Sequence, residues 1–354
     1  MLDRALYDDH AVSPDQWNLA RTVFETATID QFMAPIGLFD MIQKKPFTGA
    51  KNDEFIVIAD DGVSEPHEPG SPIVGQAMEK TNRIISLEDR EEIVYYNISK
   101  LDQFVAHYDQ QAKAGLNVGR ALRRTCENQA FRLAQLAAAT SAEGAFKGGQ
   151  TVTRSAANIA AAYPMTMTGS KNAQADIASL QRLFHADHVP DEMETYLFCS
   201  KWFADVLRQD QGLLSRDYSD AMLADRLKAK LMQVENAWIM PSLYIPTAGQ
   251  EATASASVTN ADFSADASRT INGTGAYMAD CRKLVAVVLK VGPAGTAPDG
   301  SSTSITSGLG CLMAENIATE IEKIPGTRSW NIGGAMYKGM GILRPELVGT
   351  IMLA

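Results

Sequence analysis

From Leu116 onward, the stretch His107–Thr140 returns an apolar residue every three or four positions: Leu122, Cys126, Ala130, Leu133 and Ala137. Arg120, Arg123, Arg124, Glu127 and Arg132 fill much of the remaining surface. That period predicts one amphipathic helix over residues 107–140, buried on one face and charged on the other. At about 1.5 Å per residue it would span roughly 50 Å, the length of a rod in an extended subunit. Nearer the N-terminus, Ser13, Pro14 and Gln16 form a helix start, followed by a stripe of Trp17, Ala20, Phe24 and Ala27 or Thr28. Such an arm needs a surface to cover it, in its own core or on a neighbouring subunit.

Alternation with period two takes over between these helical stretches. The run FIVIA after Glu54 predicts a strand, and residues 83–99 hold two more β-rich pieces, in which Ile93, Tyr95 and Asn97 alternate with Val94, Tyr96 and Ile98. Residues 60–81 between them carry Gly62, Pro66, Pro69, Gly70, Pro72 and Gly75, so a long hairpin excursion is expected. After the long helix, residues 144–168 are rich in Gly, Ala, Ser and Thr and mark a change of domain. Helix is expected over 175–186 and 201–209. Strands are expected over 196–199, 283–291 and 236–245, the last interrupted by Pro241 at an edge or a bulge. Residues 250–274 and 293–308 read as loops, and the rest, to residue 354, as β-like and mixed segments. The class is α+β with an α/β second domain.

Composition adds bounds. A chain of 354 residues, 45% apolar and 21% charged, favours two folded domains, and a net charge of −10 argues against a dedicated nucleic-acid binder. Cys126, Cys199, Cys281 and Cys311 form no CxxC pair, which fits a reducing compartment. The acidic N-terminal stretch has no apolar core of a signal peptide, and no apolar run is long enough to span a membrane.

Candidate chemistry is sparse. His185, Asp187 and His188 are the one metal-like cluster, the basis for an alternative reading as a metal-assisted hydrolase, but no second His or Cys group completes a zinc site. Helix-end histidines capping the last carbonyls explain the same residues. No P-loop, GxGxxG, HExxH or GxSxG occurs, and the glycines at 273, 275 and 333–341 read as turns. Nothing supports a glycosidase-type carboxylate pair, and no cofactor is expected. Arg120, Arg123 and Arg124 share a surface that suits phosphate, against the plainer reading of a solvated face with a weak Arg123–Glu127 pair.

Three patches carry a family resemblance. Leu101–Ala139 resembles a segment in which a short lead, His107–Asp109, opens a spine helix; Asp187–Cys199, with Val189, Pro190 and Phe198, resembles a helix-to-strand turn. The stretch YKGMGILRPELV, Tyr337–Val348, is similar to a C-terminal signature of Tyr, spaced glycines and Leu-Arg-Pro-Glu. Together with the order of parts, they resemble the major capsid proteins of tailed bacteriophages with the Hong-Kong-ninety-seven-like fold, nearest the short-tailed, T-seven-like podovirus branch. Residues 296–308 and the region before Trp330 depart from the pattern.

The resemblance implies an N-terminal arm over 1–50, an extended hairpin (E-loop) over 51–87, a peripheral domain from 88–145 and 310–340, and an axial domain from 146–309 and 341–354. It implies a non-enzymatic coat protein that forms hexamers and pentamers of an icosahedral shell around double-stranded DNA. A smaller tail or decoration protein is the other alternative. Implied partners are further copies of the chain, a scaffolding protein, a portal protein at one vertex and the DNA, with no membrane, in a virion assembled in the host cytoplasm. Tyr337, Gly339, Gly341, Arg344, Pro345 and Glu346 are implied at assembly contacts or the domain junction. Trp17 and Phe24 are implied in an intersubunit arm, and Arg120, Arg123 and Arg124 on an inner surface near DNA.

Overall fold

The long periodic stretch folds as a single helix, Gln110–Ala138, of 29 residues, about 43 Å at 1.5 Å per residue. The structure, a computed structural model, describes residues 24–32, 37–47, 49, 51–58, 80–88, 91–99, 110–144, 146–190, 192–209, 233–245, 283–292, 295–296, 302–303, 306–323 and 329–354. His107–Asp109, Trp17, Cys281, Gly273, Gly275 and the centre of the predicted excursion lie outside these residues. The chain divides into two compact units, one of Met1–Ile36, Asp89–Cys126 and Ala314–Lys338, the other of Gly37–Glu88, Glu127–Met313 and Gly339–Ala354.

In chain order the strands are Gln43–Pro46 (β1), Asn52–Ile58 (β2), Lys80–Ser86 (β3), Glu92–Ser99 (β4), Gln150–Arg154 (β5), Glu194–Cys199 (β6), Gln233–Val234 (β7), Ala237–Pro241 (β8), Leu284–Gly292 (β9), Gly295–Thr296 (β10), Ser302–Thr303 (β11), Thr306–Ser307 (β12), Leu309–Lys323 (β13), Ser329–Ile342 (β14) and Val348–Leu353 (β15). One sheet runs β1–β13–β14–β4 and the largest β5–β15–β9–β6–β8–β7, with β12 against β9; β2–β3 and β10–β11 are two-stranded.

In the first unit, residues 24–32 form a helix whose Phe24, Thr28 and Phe32 are buried. It lies backbone-close to the long helix at two glycines one turn apart. A Cβ on Gly115 would come within 2.9 Å of the Phe24 carbonyl oxygen, and one on Gly119 within 2.4 Å of that of Thr28. Only residues without a side chain permit that approach. In the same unit β4 pairs antiparallel with β14 from Ser99↔Ser329 to Glu92↔Met336. Its alternation holds in part: Ile98 is buried and Ile93 and Tyr95 are exposed, but Tyr96, on the face of Ile98, is exposed as well.

The glycines of 333–341 are not turns. They lie within β14, where a Cβ on Gly333 would meet the Tyr95 ring at 2.3 Å and one on Gly334 would meet Val118 at 2.8 Å. Missing side chains here make room for neighbours instead of freeing φ.

The second unit is built on β9, whose nine residues are all buried. A continuous apolar run suits a strand covered on both faces. Lys290, the exception, holds its ammonium 5.8 Å from the Phe184 ring centre, a favourable cation–π placement. The helix Met167–Ala186, capped by Thr166, packs Leu180 and Phe184 against β15 where Gly349 leaves space. It begins eight residues before the apolar pattern predicts, because Gly169 sits against the Pro164 carbonyl and Thr166 supplies the start. The small-residue stretch 144–168 contributes β5, parallel to β15. Pro241 ends β8, which pairs with β6 along its length and with β7 only at Ala237 and Trp238, so the proline falls at the strand terminus beyond the reach of β7, in keeping with the expected edge position. β7 and β8 join through Glu235 and Asn236, both at positive φ, the geometry of a tight hairpin turn.

Below that sheet Arg154 chelates Asp176 with Nε–Oδ2 at 2.7 Å and Nη2–Oδ1 at 2.6 Å. The Tyr163 hydroxyl donates to the same carboxylate at 2.6 Å. Burial, and then the Asp176 carboxylate, push the Tyr163 pKa well up, so the phenol stays protonated.

Candidate assembly surfaces

The β2–β3 ladder is complete from Asn52↔Ser86 to Ile58↔Lys80, yet among the described residues these strands pair with no third one. Period-two alternation turns Phe55, Val57 and Ile85 inward, where they meet Phe146, Leu312 and Leu343, and leaves Ile56 and Ile84 exposed. Polar ties reinforce this seat. Lys45 donates to Asp53 at 2.9 Å, the Leu87 N–H to the Lys51 carbonyl at 2.9 Å, and Arg83 to Glu143 at 3.3 Å, with its guanidinium 5.9 Å from the Phe146 ring centre.

The C-terminal signature supplies the rest of the seat. Arg344 donates from Nη2 to the Ile58 carbonyl at 3.1 Å, at the last paired residue of β2. Gly339 admits the Ser86 carbonyl, which a Cβ would approach to 2.0 Å. Arg344 is the N-cap of a single 3-10 turn, Pro345–Leu347, with proline at its start, where a missing N–H costs nothing. Glu346 in that turn has a buried Oε2 without a hydrogen-bond partner. Desolvation raises its pKa, with Asp187 adding in the same direction, while its own backbone amide, Arg344 and Arg83 pull it down. Pro345 and Gly341 are buried. Tyr337 faces outward on β14, at 38% exposure.

On the long helix the structure separates the three arginines. Arg120 and Arg124 are exposed, with Lys113 and Asn117 on the same stripe. Arg123, expected beside them, is fully buried with its guanidinium 5.6 Å from the Phe32 ring centre. At about 100° per residue it is turned some 60° from Arg120, toward the helix of residues 24–32. Glu127 is also buried, and its carboxylate accepts from the Phe39 N–H at 3.3 and 3.4 Å. Arg132 is buried as well. The charged face read from the sequence is therefore narrower than its charges suggest, because several serve buried contacts. Glu127 as a backbone anchor was missed; its one trace is its place between Cys126 and Ala130 of the apolar stripe.

Phe24, expected to reach a neighbour, is fully buried in its own unit beside Gly115. The histidines complete the helix stop. His185 and His188 are exposed, His188 has φ 60°, and the Val189 N–H returns to the Phe184 carbonyl at 3.1 Å, the closing bond of a Schellman-type end. Among the described residues no three His, Cys, Asp or Glu side chains gather as metal ligands, and no helix is long and apolar enough to cross a membrane.

Phage capsids are among the solved structures similar to this chain. The capsid of cyanophage P-SCSP1u aligns with a TM-score of 0.64 and 18% identity over 89% of this chain and 86% of that one. The mature capsid of bacteriophage PhiM1 aligns with 0.59 and 14% over 90% and 88%. The capsid of a native GTA particle aligns with 0.52 and 11% over 90% of each. Among curated proteins none matches by sequence. At these identities the likeness establishes the Hong-Kong-ninety-seven-like fold. The sequence model of the Gp10A-like family, described as major capsid protein, matches residues 58–289, well over half the chain, and the chain belongs to that family of structural, non-enzymatic coat proteins.

Proposed function

We propose that this coat protein closes into an icosahedral shell of hexamers and pentamers around double-stranded DNA, with the β2–β3 hairpin lying across a neighbouring subunit as its E-loop. The observation that carries the reading is the hairpin itself. Among the described residues its two strands pair only with each other, and while one face is seated on its own unit, the other exposes Ile56 and Ile84, an apolar strip suited to cover by a neighbouring copy. In this reading the unit holding β9 gathers at the local symmetry axes and the unit holding β4 lies peripherally, as in the T-seven-like branch. Arg120 and Arg124 face the packaged DNA through non-specific phosphate contacts. A scaffolding protein guides assembly in the host cytoplasm, and a portal protein occupies one vertex.

Expression with the scaffolding partner, followed by electron microscopy, tests this. Closed particles are expected, and a chain that remains monomeric under assembly conditions overturns it. Arg344→Ala should lower particle yield more than the yield of folded subunit, because it releases the Ile58 carbonyl; unchanged particle yield removes Arg344 from the assembly role.

A further inference from the structure

Cys126 on the long helix and Lys338 on β14, both within the first unit, form a buried pair that shell building leaves unused. Lys338 is 2% exposed and Cys126 1%, and the lysine Nζ lies 3.0 Å from the cysteine Sγ. The pairing follows from strand geometry. Side chains two apart share a face of a strand, so Met336 and Lys338 turn toward the helix while Tyr337 turns away. Met336 Sδ then closes the other side of the thiol at 3.6 Å. Among the described residues the sulfur is the one hydrogen-bond partner the structure gives that Nζ. A buried amine usually finds carboxylates or carbonyls to hold its charge, so an amine placed against a thiol alone invites a chemical explanation.

We propose that Cys126 and Lys338 are an oxidative cross-linking site, joined through one oxygen atom as an N–O–S bridge once particles leave a reducing cell. The co-reactant is dissolved dioxygen, small and apolar enough to reach a buried site. One N–H and the S–H bond break, an N–O and an O–S bond form, and the second oxygen atom departs as water with both hydrogens. Nitrogen and sulfur are each oxidised by two electrons, which matches the four-electron reduction of dioxygen. Thiol reductant reverses the bridge to free amine and thiol. Such a link ties residues 212 apart in sequence, and a cross-link across so long a loop restricts the unfolded chain strongly. Cys199 offers an internal control, since its buried thiol is pushed up to about 12 by desolvation and among the described residues no amine hydrogen-bonds to it.

The test uses particles purified in parallel under argon and in air, denatured in iodoacetamide without reductant, and digested for mass spectrometry. In the air-exposed sample the Cys126 peptide should be joined to the Lys338 peptide, heavier than their sum by one oxygen and lighter by two hydrogens. That species should vanish with dithiothreitol, and Cys199 should be alkylated in both samples. Lys338→Arg and Cys126→Ser should each abolish the joined peptide, and air exposure should raise the melting temperature of the parent particles reversibly. Alkylated Cys126 in the air-exposed parent, or oxidation of its sulfur alone, overturns the proposal whether or not either variant folds.

Discussion

Glu346 shows what a single buried carboxyl does to the pH response of the fold. Its folded-state pKa is raised, chiefly by desolvation, so the native chain holds this proton more tightly than the unfolded chain. Stability from this residue is therefore greatest below the ordinary glutamate range and is lost as pH rises from that range through the folded value. Glu346→Gln keeps a neutral, isosteric side chain, so it should melt higher than the parent at neutral pH and match it in acid. Thermal unfolding at a series of pH values checks this, and a gap that widens toward acid would contradict it. Asp176 carries the opposite role, since Arg154 and Tyr163 both rely on it. Asp176→Asn should cost about 3 kcal/mol, the lower end for breaking a buried pair, because Arg154 keeps 27% exposure. Asp176 was not legible beforehand, and Glu346 was singled out only through the resemblance and without its burial: a carboxylate in a helix or turn reads as solvated until the elements around it are placed. Arg344 and Gly339 were likewise singled out through the resemblance alone, and no periodicity or composition marked them.

At the scale of elements, periodicity found most pieces and misjudged their surroundings. The long helix was bounded to within a few residues, with Ala138 against an expected end at 140. The breadth of its charged face was wrong because burial of Arg123, Glu127 and Arg132 depends on neighbours from distant parts of the chain. Gly115 and Gly119 raised no signal on their own, yet they set the helix crossing. Gly119→Ala should gain about 1 kcal/mol of helix propensity and lose about 1–3 kcal/mol to overpacking against the Thr28 carbonyl, where no flexible side-chain end can yield. The clash wins: a net loss of about 1 kcal/mol should appear as a lower urea midpoint. Asn117→Ala, on the exposed stripe of the same helix, should be neutral or slightly stabilising. The glycines of β14 teach a similar lesson, since a glycine-rich run looks alike whether it turns or makes room, and only the partner strand with Tyr95 distinguishes the two.

For the whole molecule, the informative feature is apolar surface that the isolated chain leaves uncovered. Ile84 is 43% exposed and Ile93 57%, and each lies on a strand whose other face carries a buried isoleucine, Ile85 or Ile98. Scattered apolar residues are ordinary on a protein surface, but here they sit on an unpaired hairpin and on a strand beside which no further strand is placed among the described residues. A chain that assembles shells from its own copies has a use for such strips, because a modest contact repeated by symmetry is enough to hold a shell. Ile93→Asp should therefore leave the folded subunit nearly unchanged, within about 0.5 kcal/mol as for other surface substitutions, while sharply reducing the fraction that sediments as particles. Asn97→Asp, on the same face of β4 with no apolar side chain to lose, separates the loss of apolar contact from the added charge. If both variants assemble equally poorly, charge near this face is the cause; if only Ile93→Asp fails, the apolar strip is a contact between copies.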